Sequence, residues 1–181
     1  MTEGVHLGRP VSRGRRPQRV NPVDPIPPFQ RFLDEHRAAV YRVARAMAGP
    51  NDADDVFQET FLAAYRAYPR LRAGGDLKSW VLTIATRKAI DAGRKRARSP
   101  LPVEDLPERP ARSAELLDGE PELWAAVREL PPKQRAAVVH RYVHDLAYAD
   151  VAAMIGTTEE TARANAYQGV RKLREAWEAR A

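Results

Sequence analysis

Two groups of side chains in this sequence have the types and spacing for work on a partner. The first is a run of cations, Arg87, Lys88, Arg94, Lys95, Arg96 and Arg98, at the end of a segment whose apolar residues recur at helical spacing. Cations near a helix C-terminus complement its dipole, but four among the five residues from Arg94 to Arg98 exceed what a cap requires. Such a strip suits phosphates. The second group is acidic: Asp52, Asp54 and Asp55, followed by Gln58 and Glu59, at the start of another helical pattern. Acids there favour a helix N-terminus, and on a basic segment they also fit a protein partner. Enzymatic chemistry finds little support. His140 and His144 stand one helical turn apart, as a metal pair would, but no carboxylate or third histidine is placed convincingly beside them, so surface or packing roles are expected. With no phosphate-cradling glycine loop, no Ser-His-Asp set that the sequence brings together and no cysteine, neither catalysis, a metal nor a cofactor is expected.

The elements that must position these groups follow from charge and proline. The chain has 181 residues, 44% hydrophobic and 30% charged, with net charge +6, which bounds it to one domain or two small ones and favours a polyanionic partner such as nucleic acid. No apolar run is long enough for a signal peptide or a membrane span, so a soluble cytoplasmic protein without a membrane partner is expected. Six of the fifteen prolines lie in residues 1–28, with Arg9, Arg13, Arg15, Arg16 and Arg19 and little apolar bulk; this reads as a disordered basic arm. Residues 29–98 hold 14 basic and 8 acidic residues, and residues 99–120, with Pro100, Pro102, Pro107 and Pro110, hold 2 basic and 6 acidic. Residues 121–181 are nearly neutral, with 9 basic and 8 acidic. The pattern is that of two modules on an acidic, Pro-rich, flexible linker.

Both modules read as helical. Phe29, Phe32, Leu33, His36, Val40, Val43, Ala44 and Met47 form the stripe of one amphipathic helix, closed by Gly49-Pro50. Asn51 and Asp52 are suitable N-caps for a second helix carrying Val56, Phe61, Ala64 and Tyr68 up to Pro69. Asp76 is a third cap, ahead of Trp80, Val81, Ile84, Ala85 and Ala89. In the second module Leu123, Trp124, Val127 and Leu130 precede a Pro131-Pro132 break, and Ala136, Val139, Tyr142 and Val143 mark the next apolar face. A short helix then reaches Gly156, suited to a left-handed turn, and Thr157 or Thr158 caps a helix running to about Glu178, with Thr157 and Glu160 at capping-box spacing. This is helix, short turn, helix, with Ala162, Ala166, Gly169 and Leu173 on its inner side. The expected fold class is all-α: two small helical domains, one of them a helix-turn-helix.

Taken together, these segments resemble the sigma-70 family of bacterial RNA polymerase sigma factors, in the compact extracytoplasmic-function (ECF, group IV) form with two conserved domains. The run from Asp52 through Gln58-Glu59-Thr60-Phe61-Leu62 looks like the family's region 2.2 motif, which docks on the clamp of the polymerase's largest subunit. The resemblance therefore implies core polymerase contacts at Asp52, Asp55, Gln58 and Glu59. Residues Leu77 to Asp91 look like regions 2.3 and 2.4, which open and read the minus-ten element. The implied contacts there are Arg72, Leu77, Lys78, Arg87, Lys88, Arg94, Lys95 and Arg96, with the loop from Arg72 to Leu77 holding a flipped base; Trp80, on the apolar stripe with Ile84, is expected in the core. Residues 121–181 resemble region 4, from the Leu130-Pro131-Pro132-Lys133-Gln134-Arg135 opening to the Asp150-Val151-Ala152 start of the helix-turn-helix, which binds the minus-thirty-five duplex and the polymerase flap. The outward set is Thr158, Glu159, Glu160, Arg163, Ala164, Tyr167, Gln168, Arg171 and Lys172. Six positions depart from common family types: Leu77 stands for an aromatic, Arg87 for an asparagine, Asn165 and Gln168 for arginines, and Ala162 and Ala166 for larger apolar residues.

The implied function is that of an initiation factor: it binds core RNA polymerase, directs it to promoters through both elements and promotes melting. Promoter DNA and polymerase are the expected partners, with an anti-sigma protein a further candidate and no small-molecule substrate. A stand-alone helix-turn-helix regulator is the alternative; it accounts for residues 121–181 and leaves the Gln58-Glu59-Thr60-Phe61 segment and the cationic strip without a role.

Overall fold

The computed structural model describes residues 25–98 and 121–179. The linker and most of the basic arm lie outside them, and with them the expectations of disorder and flexibility. The architecture is all-helical, as expected: among the described residues there is no strand.

The first module is three helices, α1 (Phe29–Ala48), α2 (Ala53–Ala67) and α3 (Leu77–Arg98), each packed on the other two. The stripe read from the sequence is the buried face of α1, with Phe32, Val40, Val43 and Ala44 fully enclosed. Enclosing a side chain such as Phe32 contributes ~1.5–3 kcal/mol. Its ring meets those of Phe61, Tyr68 and Trp80, so Trp80, partly buried, packs against the core. Gly49, at φ +87°, ends α1. The Asp76 carboxylate accepts from the backbone N–H groups of Lys78 and Ser79 at 3.0 and 3.2 Å, the expected cap of α3. Asp52 differs from expectation: it sits at the α2 N-cap position but makes no capping bond, because its carboxylate pairs with Arg96 of α3. The end of the basic arm belongs to the fold, since the Tyr68 hydroxyl donates to the Pro27 carbonyl at 2.7 Å.

The second module comprises α4 (Pro121–Glu129), α5 (Pro132–Val138), α6 (Tyr148–Ile155) and α7 (Glu159–Glu178). A π turn, Val139–Val143, extends α5. Its extra residue rotates the stripe, so Tyr142 and Val143 are exposed rather than buried, and His140 and His144 turn inward. Gly156 takes the left-handed conformation at the end of α6. Thr158, not Thr157, caps α7, its hydroxyl accepting from the Thr161 N–H at 3.2 Å. Ala162 and Ala166 are fully buried, and a Cβ on Gly169 would lie 2.6 Å from a methyl of Val138, so glycine sets how closely α7 crosses α5.

The two modules pack together, which the sequence reading did not anticipate. α3 lies against α6, α1 touches α4 and α5, and one apolar cluster runs through both. Arg135, half-buried, reaches across: its guanidinium donates to the carbonyls of Met47 at the end of α1 and of Arg128 and Leu130 at the end of α4. Burial weakens its hold on the proton, and the negative ends of two helices offset that cost.

Candidate nucleic-acid interface

The acidic and basic groups occupy adjacent helices of the first module. On α2, Asp55, Gln58 and Glu59 are exposed along one face, and that face continues into Leu62 and Tyr65, exposed at 51% and 61%. The sequence reading missed these two apolar residues, although the steps from Gln58 to Leu62 to Tyr65 are helical. Asp54 turns to the Tyr41 phenol, which burial first and this neighbour second hold above its ordinary pKa. Asp52 pairs with Arg96, and Glu59 with Lys88 at 3.2 Å. Two residues expected at the polymerase are thus held by two expected at DNA.

On α3, Arg87, Arg94, Lys95 and Arg98 are exposed, with Asp91, Arg94, Lys95 and Arg98 lining a shallow cleft of about 440 Å³. Arg94 leans on Asp91 at 3.7 Å. The loop ahead of α3 is exposed from Arg72 to Asp76. Leu77 is half-buried against the core and Lys78 is half-buried, so the structure sets both apart from the exposed Arg72.

In the second module, Thr158, Glu159, Glu160, Arg163, Ala164, Tyr167, Gln168, Arg171 and Lys172 are all exposed, opposite the buried Ala162, Ala166 and Gly169. Several are already engaged. Gln168 accepts from Gln134 at 2.9 Å, Arg163 pairs with Glu159 at 3.0 Å, and Arg171 with Glu175 at 3.4 Å. Asn165 donates to the Thr161 carbonyl of its own helix. Arg163 and Arg141 lie over the Tyr148 ring, 5.1 and 5.3 Å from its centroid, a contact the sequence did not reveal. Of the surface and packing roles open to His140 and His144, the structure gives them packing, since both are buried; among the described residues no three His, Cys, Asp or Glu side chains gather as a metal site. Nor is any described helix long and apolar enough to cross a membrane.

Fold and surface define an all-α protein that couples a basic three-helix module, with an acidic flank, to a helix-turn-helix. Residues 32–99 match the family model for sigma-70 region 2, and residues 121–173 that for sigma-70 region 4. The chain is 32% identical over 163 residues to the ECF RNA polymerase sigma factor SigE of Mycolicibacterium smegmatis, an alignment covering 83% of this chain and 62% of that one. It is 32% identical over 160 residues to SigD of Mycobacterium bovis, covering 81% and 76%. The chain belongs to the sigma-70 family, in its ECF branch. Two solved structures share its fold: the sigma factor RpoE in complex with the anti-sigma factor NepR from Bartonella quintana, at TM-score 0.69 and 24% identity over 83% of this chain and 96% of that one, and CnrH in complex with the cytosolic domain of CnrY, at 0.64 and 22% over 84% and 89%.

Proposed function

We propose that this protein is a sigma factor that binds core RNA polymerase, directs it to promoters and assists melting of the start region. One observation carries the reading: α2 presents an acidic and apolar face while the neighbouring α3 presents cations, so one module offers a protein surface and a nucleic-acid surface side by side. Asp55, Gln58 and Glu59, with Leu62 and Tyr65 added from the structure, form the polymerase contact. Arg72, Arg87, Arg94 and Lys95 follow the minus-ten strand, where stacking of an unpaired base contributes ~1–3 kcal/mol and charge supplies the rest. Arg163, Tyr167, Arg171 and Lys172 face the minus-thirty-five duplex. An anti-sigma protein, the kind of partner RpoE has in its complex, is a further candidate.

Binding of fluorescent protein to core polymerase, followed by anisotropy, tests the reading. The wild type is expected to bind, and the exposed triple variant Asp55→Ala, Gln58→Ala, Glu59→Ala to lose at least tenfold in affinity with unchanged helix content. Equal affinity of the two would overturn the assignment of α2.

A further inference from the structure

Besides Arg135, the contact between the modules contains a fully buried polar link between side chains. His140 on the π turn, fully enclosed, places Nε2 2.7 Å from Oγ1 of Thr86 on α3, itself fully enclosed. The Thr86 hydroxyl has one proton, and the Leu82 carbonyl lies 2.7 Å away to accept it. The threonine oxygen is then the acceptor toward the histidine, and Nε2 carries the imidazole proton. Nδ1 of His140 is left buried and without a partner, and so is Nε2 of His144, whose ring lies 5.8 Å from that of His140. Among the described residues, Thr86 faces His140, and the cations Lys78 of α3 and Arg42 of α1 act electrostatically on His144. Each ring also faces the other.

We infer that the two modules are latched by this neutral histidine pair, seated between α3 and the π turn, and that mild acid releases the latch. A second proton on His140 would sit on Nδ1, in an apolar interface with no acceptor and beside another histidine. One on His144 would add charge facing Lys78 and Arg42. Burial holds His140 down to about 4; burial first, then the neighbouring His140 ring, then Lys78 and Arg42, hold His144 down to about 3, against an ordinary 6.5. The closed form therefore has its full strength above the ordinary value and loses it as pH falls toward 4, because the separated modules bind the protons that the closed form refuses. Between pH 7.5 and 5.5 the ratio of open to closed molecules rises about tenfold for each histidine that regains its ordinary behaviour, and roughly a hundredfold for both. The inference concerns contact between two parts of this chain and does not depend on which molecules either part binds.

The chain has no cysteine, so two can be introduced for spin labels, at the exposed Arg31 on α1 and Arg174 on α7. Electron–electron distances are measured on the full chain at pH 7.5 and 5.5, with far-ultraviolet circular dichroism on the same samples. The inference expects one compact distance at pH 7.5, a longer and broader component at pH 5.5, and helix content unchanged. The variant His140→Gln, His144→Leu keeps a donor toward Thr86 and cannot titrate, so its distances should not respond to pH. Thr86→Val removes the acceptor and should raise the open fraction severalfold at pH 7.5. Identical distances at both pH values would overturn the inference, as would an acid response that survives in the histidine variant. Opening only in step with helix loss, or no effect of Thr86→Val, would overturn it as well.

Discussion

Gly169 is the position where two helical rules collide. It lies inside α7, and in an exposed helix Gly→Ala would stabilise by ~1 kcal/mol. Here the added methyl would stand 2.6 Å from Cγ2 of Val138, 3.4 Å from the Gln134 carbonyl oxygen and 3.5 Å from a Leu130 methyl. Carbon atoms prefer ~3.5–4.0 Å, so the pair must separate by about 1 Å. Val138 cannot swing aside, since a β-branched residue in a helix has essentially one rotamer. Overpacking of this kind costs ~1–3 kcal/mol, so Gly169→Ala should be destabilising by about 1 kcal/mol after the propensity gain is subtracted. The assay is urea unfolding of the full chain with Val138→Ala and the double variant, closing a cycle. Val138→Ala should be less costly in the Gly169→Ala background than alone, by about 1 kcal/mol, because the new methyl fills the space vacated. If Gly169→Ala stabilises by its full propensity gain and the two substitutions are additive, the close crossing of α5 and α7 is wrong.

Other consequences are equally direct. Asp76→Ala removes the cap of α3 and should lower stability by about 1 kcal/mol, seen as a fall in Tm of roughly 2–4 °C; Asp52→Ala, which caps nothing, should not reproduce it through α3 helicity. Arg135→Lys should destabilise by ~1.5–3 kcal/mol in urea titration, because a compact ammonium cannot serve carbonyls at the ends of both α1 and α4. On promoter duplex, Arg171→Ala and Lys172→Ala should each lower the slope of log affinity against log salt by about 0.9 if each neutralises one phosphate, with little change in preference between sequences. An unchanged slope would remove that residue from the DNA surface.

Much of the fold could be read from short-range pattern. The α1 stripe, the Asp76 cap, the turn at Gly156 and the small inner face of α7 all depend on residues within two turns of one another, where periodicity and capping rules act. The features that escaped depend on longer range. The π turn leaves no mark in a 3.6-residue pattern, so Tyr142 and Val143 were placed inside and the inward turn of His140 was hidden. Arg135 resembled an ordinary basic residue until the chain brought Met47 and Leu130 to it, and the Thr86–His140 bond joins positions 54 residues apart. For the interface, the sequence marked the charged residues but not which would pair: Asp52 with Arg96 and Glu59 with Lys88 follow only from how α2 lies on α3. The exposed Leu62 and Tyr65 sit at core-like spacing, and only the bundle shows that they stay largely uncovered, Tyr65 meeting just the edge of Phe29 among the described rings.

The central claim is tested most directly by transcription from fragmented genomic DNA with sigma-free core RNA polymerase, with and without the protein, and with transcript starts mapped. Discrete new starts sharing two upstream motifs, lost with Asp55→Ala, Gln58→Ala, Glu59→Ala, are the expected result. No new starts, together with specific duplex binding by the protein in the absence of polymerase, would contradict the account and identify a stand-alone regulator.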